Sequence, residues 1–239
     1  MLIVLLTARA LSPADYSLYA LVLTLVLMAI QFLNSWQSQA LLHFFPTRTL
    51  GANGSVAGYA RMCLVTACVG GILVACLLTA FGYSGLTCVL GAMLFSAQTA
   101  WSFLCTLFQA LENPKEQLRA TVLQSLSQVA LAVTLYLVGY LFLESALLAV
   151  LFGFIVGVGY IGRAAFHHGA INANMLLAQS WSAKSEFRRA VSYGAPISVW
   201  ILCSQLYSVS DRFVLESQGL LVDLGKYAAT RELLVGVVS

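Results

Sequence analysis

Four stretches of this chain, 16–47, 62–111, 120–143 and 190–210, contain no Asp, Glu, Lys or Arg. Runs of that kind are too long and too apolar to be faces of a water-soluble domain. They match the demand of a bilayer, whose hydrocarbon core of about 30 Å takes roughly 20 apolar residues of helix. The longest run, 62–111, would extend about 75 Å as one helix and so has to fold back on itself. Phe81-Gly82-Tyr83-Ser84-Gly85 supplies the turn residues for that reversal.

Composition narrows the class further. The chain is 60% hydrophobic and 9% charged, against about a quarter charged for an ordinary soluble domain. The formal charge of +3 is spread between apolar runs rather than gathered in a basic patch with interleaved aromatics, so nothing here predicts a nucleic-acid partner. The six cysteines all lie inside apolar runs, with no CxxC pair and no His at ligand spacing. They read as small packing residues, so neither a metal nor another cofactor is expected.

The runs predict spans at about 16–36, 62–81, 86–110, 120–141, 145–162 and 191–210. They leave loops at 37–61, 112–119, 163–189 and 211–226. Met1 to Ala8 reads as the last part of a helix and Tyr227 to Ser239 as the start of another, so the chain is expected to be a fragment of a longer one. The fold expected is all-α and polytopic: one six-helix lobe, its first helix incomplete, with its cytoplasmic loop over 1–190, and the truncated start of a second lobe over 191–239. Arg48, Arg61, Lys115, Arg119, Arg163, Lys184, Arg188 and Arg189 fall on one side of these spans, whereas Arg9, Arg212 and Lys226 fall on the other. Because cytoplasmic loops are enriched in Lys and Arg, the first side is assigned to the cytoplasm.

An internal repeat supports two lobes. Asp15, Tyr19 and Ala20 match Asp223, Tyr227 and Ala228 at a constant offset. Both copies open a span on the external side, as parallel repeats in transporters require.

Polar residues recur on single faces of the spans. Thr24, Gln31 and Ser38 repeat every seven residues; Thr99, Ser102, Thr106 and Gln109 share a face, as do Thr121, Gln124 and Gln128, and Ser198, Gln205 and Ser208. One-sided polarity inside a span faces protein or water, not lipid. Taken singly, each such residue is better explained by an interhelical hydrogen bond; the four stripes together point to a cavity. Asp211 and Arg212 follow the last stripe to the external mouth, where the alternative is a headgroup anchor. Pro196, beside Gly194, is either a hinge or a tolerated first-turn proline. Ala149, Gly153 and Gly157 form a small-residue face suited to close helix contact.

Three segments carry a family resemblance: Ala8-Arg9-Ala10-Leu11-Ser12-Pro13-Ala14-Asp15-Tyr16-Ser17-Leu18-Tyr19-Ala20, Gln39-Ala40-Leu41-Leu42-His43-Phe44-Phe45-Pro46, and Tyr193-Gly194-Ala195-Pro196 with Asp211-Arg212-Phe213-Val214-Leu215 and Gly225-Lys226-Tyr227-Ala228. They resemble the polysaccharide or O-antigen flippases of the multidrug/oligosaccharidyl-lipid/polysaccharide exporter superfamily, which often carry Arg where this chain has His43. The resemblance implies a non-enzymatic transporter that moves lipid-linked oligosaccharide across the bacterial cytoplasmic (inner) membrane for polysaccharide or lipopolysaccharide synthesis. Its partners would be membrane lipids, the lipid-linked glycan, and a second lobe or other glycan-assembly proteins. Gln31, Gln109, Gln124, Gln128, Gln205, Asp211 and Arg212 are the expected substrate-path residues, and Pro196 the expected hinge. The alternatives are a drug or ion antiporter of the same superfamily, or a membrane-embedded glycan-assembly enzyme.

Overall fold

A computed structural model describes residues 2–45, 52–168 and 183–238. Among them every regular element is helical: α1 (Leu2–Ala10), α2 (Pro13–Phe44), α3 (Ala52–Ala80), α4 (Gly85–Ala110), α5 (Pro114–Leu137), α6 (Leu143–His167), α7 (Ala183–Ser217) and α8 (Leu221–Val238). Five of these, α2 to α6, are long and apolar enough to cross a bilayer. The protein is an all-α, multi-pass membrane protein.

The turns form where local chemistry stops a helix. Ser12 caps α2, its Oγ accepting the Asp15 N–H at 3.1 Å with Pro13 in the first turn behind it. Ser84 caps α4 in the same way through the Thr87 N–H at 3.2 Å. The α3–α4 reversal falls at the expected place, and Gly82 takes the left-handed φ of +79° that the turn needs.

The helices are longer than the uncharged runs, and the loops correspondingly shorter. α2 continues eight residues past 36, to Phe44, α6 runs on to His167, α7 already begins at Ala183, and α7 passes through Asp211 and Arg212 to end at Ser217. Loss of apolarity marks where a helix leaves hydrocarbon, not where its backbone hydrogen bonding ends. Gln, Arg and Lys are good helix formers and carry the helices onward. The loops expected at 37–61, 163–189 and 211–226 are therefore partly helical. The stretches 46–51 and 169–182 lie outside the described residues.

α2 is the central element, packed against α3, α4, α7 and α8. Two apolar clusters surround it. One, around the first half of α2, joins Tyr16, Ala20 and Val26 to Leu78, Phe95 and Leu147; the other, at its end, joins Leu41 to Tyr59, Leu107, Phe108 and Ile161. Close approach is secured by small residues: a Cβ on Gly70 would lie 2.3 Å from the Phe95 ring. The Gly153 and Gly157 face of α6 meets α5 as its spacing predicts, since a Cβ on Gly153 would lie 2.7 Å from the Gln128 Cβ, and one on Gly157 2.9 Å from the Gln124 Cβ. Large apolar side chains such as Leu64, Val65, Val69, Ile72 and Leu73 of α3 are exposed. Outward-facing leucine and valine are what lipid contact asks for.

The two repeat copies meet in space. Asp15 and Asp223 both sit in first turns, Ala20 and Ala228 are both buried, and α8 lies along α2. At their starts Gly225 approaches Pro13 so closely that a Cβ would fall 1.9 Å from the Pro13 carbonyl oxygen.

Candidate functional site: a polar seam between α2, α7 and α8

α2 and α7 run antiparallel, and polar side chains join them along their shared face. Near the start of α2, Arg212, only 8% exposed, donates from Nη1 to Thr24 Oγ1 at 2.7 Å. The Thr24 hydroxyl in turn donates to the Ala20 carbonyl at 2.7 Å, so one hydroxyl both accepts from a cation and is anchored by its own helix. A guanidinium taken out of water needs such partners.

Asp211 binds the third helix. Its Oδ1 accepts the Arg212 backbone N–H at 2.9 Å and lies 3.8 Å from Nη1 of Arg231, while its Oδ2 accepts the Tyr227 hydroxyl. Asp211 and Arg212, adjacent in sequence, thus tie α7 to α8 and to α2 respectively. Because they are helical neighbours about 100° apart, one residue faces each partner. The headgroup-anchor reading of Arg212 does not describe this geometry, in which the side chain is buried and bonded to protein.

Toward the end of α2 the seam closes again. Ser35 and Ser198 share a hydrogen bond of 2.7 Å, and a Cβ on Gly194 would stand 2.4 Å from the Trp36 carbonyl oxygen. Between these two junctions lie Gln31 and Gln205, both half-buried. Gln31 is one heptad from Thr24, and Gln205 is one heptad from both Ser198 and Arg212. Ser208, expected on the same face, is among the side chains outside the described residues.

The other expected path residues lie elsewhere. Gln124 donates to Gln128 at 3.3 Å, and both lean on the glycine face of α6, at an α5–α6 contact rather than in the seam. Gln109 is exposed at the end of α4, where its carbonyl accepts the Glu112 N–H. Pro196 lies well inside α7, which excludes a first-turn position. It removes the hydrogen bond that the Ser192 carbonyl would otherwise receive.

Sequence reasoning missed Ser35, Asn34 and Gln37. Asn34 and Gln37 are buried, and Gln37 donates to Thr66 Oγ1 of α3. Ser35 stands four residues after Gln31, on the same helix face, so a 3.6-residue period carried past the heptad would have found it.

A long, largely apolar helix bundle with a bonded arginine inside it defines a multi-pass membrane protein with a polar seam between helices. The family model described as polysaccharide biosynthesis protein matches residues 1–239, and the chain belongs to that family. No curated protein and no solved structure gives a significant match.

Proposed function

We propose that this protein is a flippase component that moves lipid-linked oligosaccharide across the bacterial cytoplasmic membrane to supply polysaccharide or lipopolysaccharide synthesis. Family membership supports polysaccharide biosynthesis in a membrane. The observation that carries the transport reading is the α2–α7 seam, with its bonded ends and two half-buried amides between them.

The first lobe, 1–190, contributes α2; the second, 191–239, contributes most of α7 and all of α8. On that division the seam is the boundary between lobes. A glycan headgroup presents hydroxyls and phosphate, and glutamine amides can donate to and accept from hydroxyls in a site shielded from bulk water. Alternating access needs one junction to open while the other holds. The charged external junction and the neutral Ser35–Ser198 junction differ in strength, and Pro196 stands two residues from Ser198, where a missing helix bond lets α7 bend.

The test is surface glycan in the native host after deletion and complementation, normalised to membrane-inserted protein. Deletion is expected to abolish surface glycan and to leave lipid-linked oligosaccharide on the cytoplasmic leaflet. Arg212→Lys is expected not to restore export, because a lysine ammonium is a compact, strongly hydrated charge that is costlier to bury than the delocalised guanidinium whose Nη1 meets Thr24. Full export by Arg212→Ala would remove the seam from the mechanism. Failure of the lipid-linked precursor to form at all would favour a glycan-assembly enzyme.

A further inference from the structure

At the end of α2 assigned to the cytoplasm, beyond the Ser35–Ser198 junction, lies an open concavity of about 740 Å³ lined by Phe44, Arg188, Arg189, Ser192 and Tyr193. We propose that it is a binding site for a phosphoryl anion, carried on a lipid headgroup or as free phosphate or diphosphate.

Three observations support this. The polar groups converge: Arg188 and Ser192 share one face of α7, Arg189 and Tyr193 the adjacent face, and all four line the same concavity. The floor is fixed by rings that hold one another. His43 stacks on Tyr193 at 4.2 Å with an interplanar angle of 10°, and Phe44 meets both rings edge-on, at 4.8 Å from His43 and 5.5 Å from Tyr193. The Arg189 guanidinium lies 5.1 Å from the centre of the Phe44 ring. A guanidinium held over an aromatic ring has five N–H donors, more than the ring can occupy, and so keeps donors for forked contact with phosphate oxygens.

Charge completes the case. Arg188 and Arg189 are both exposed at the rim of the concavity. Two guanidiniums a residue apart, over an aromatic floor and beside a hydroxyl, attract a ligand with at least two acceptor oxygens and negative charge. A phosphate monoester or diphosphate has both. The inference does not depend on transport, since it is tested by binding alone.

The full chain, purified in a neutral detergent, is titrated by calorimetry with dioctanoyl phosphatidate, dioctanoyl phosphatidylcholine and inorganic pyrophosphate. Phosphatidate is expected to bind saturably and at least tenfold more tightly than the zwitterionic lipid. The double change Arg188→Gln with Arg189→Gln is expected to weaken it tenfold or more. Arg119→Gln, which neutralises an exposed arginine on the same side, is expected to leave it unchanged. Competition by pyrophosphate identifies the free anion as a sufficient ligand; binding of phosphatidate without such competition identifies the headgroup in its lipid. Should the double variant fail to fold, Ser192→Trp fills the concavity from an exposed position and is expected to abolish binding. Absence of saturable binding, retention of it in these variants, or equal weakening by Arg119→Gln overturns the proposal.

Discussion

Thr24→Val removes one hydroxyl from the seam while keeping the side chain's shape, and its cost can be worked from the geometry. The hydroxyl accepts from Arg212 at 2.7 Å with both residues buried, at 4% and 8% exposed. Interhelical hydrogen bonds in membranes average about 0.6 kcal/mol and reach about 1.7. Bonds to a charged donor are worth about 1.5 to 3 kcal/mol in proteins generally. A buried guanidinium left with one acceptor fewer belongs at the upper end of the membrane range, so the expected loss is about 1.5 to 2 kcal/mol, roughly 10- to 30-fold in the unfolding equilibrium. The Ala20 carbonyl loses the Thr24 hydroxyl too, but as an interior helix carbonyl it keeps a backbone donor and adds little. Ser35→Ala removes a neutral bond and is expected to cost about 0.6 kcal/mol. Unfolding in mixed micelles, followed by tryptophan fluorescence, measures both. A double-mutant cycle of Thr24→Val with Arg212→Met should return a coupling above about 1 kcal/mol; a value within the additivity error of about 0.3 kcal/mol would refute the reasoning.

Gly225→Ala drives a Cβ to 1.9 Å from the Pro13 oxygen, whereas a Cβ on Gly159 meets nothing within 4 Å. The first is therefore expected to destabilise by about 1 to 3 kcal/mol, and Gly159→Ala to be neutral or to stabilise by up to about 1 kcal/mol, both read as shifts in the micellar unfolding midpoint. Pro196→Ala restores the hydrogen bond to the Ser192 carbonyl and is expected to raise stability, by up to about 3 kcal/mol, while lowering glycan export; a variant with unchanged export would show that α7 does not use this bend. In a background without the native cysteines, Ser217→Cys is expected to react with an impermeant thiol reagent in intact cells and Lys115→Cys to be shielded, and equal labelling of the two would overturn the orientation.

The α3–α4 reversal was legible in the sequence because Gly82 and Ser84 decide it within a few residues, and helix class was legible because hydrocarbon tolerates only a hydrogen-bonded backbone. The polar stripes were legible as stripes. A heptad of Thr24 and Gln31 on one helix and of Ser198 and Gln205 on another follows from spacing alone.

What spacing could not supply is the partner of each stripe. Gln124 and Gln128 look like Gln31 and Gln205 in one dimension, yet the former pack on Gly153 and Gly157 while the latter stand between two bonded junctions. Asp211 and Arg212 looked like a loop because charge ends an apolar run, but helical hydrogen bonding does not stop at charge, and carrying α7 through them turns the arginine inward. Local chemistry thus determined the elements, their turns and their faces. The tertiary structure alone decided which faces meet, because Thr24 and Arg212 are separated by almost the whole chain, and only the packing of α2 against α7 brings them to 2.7 Å.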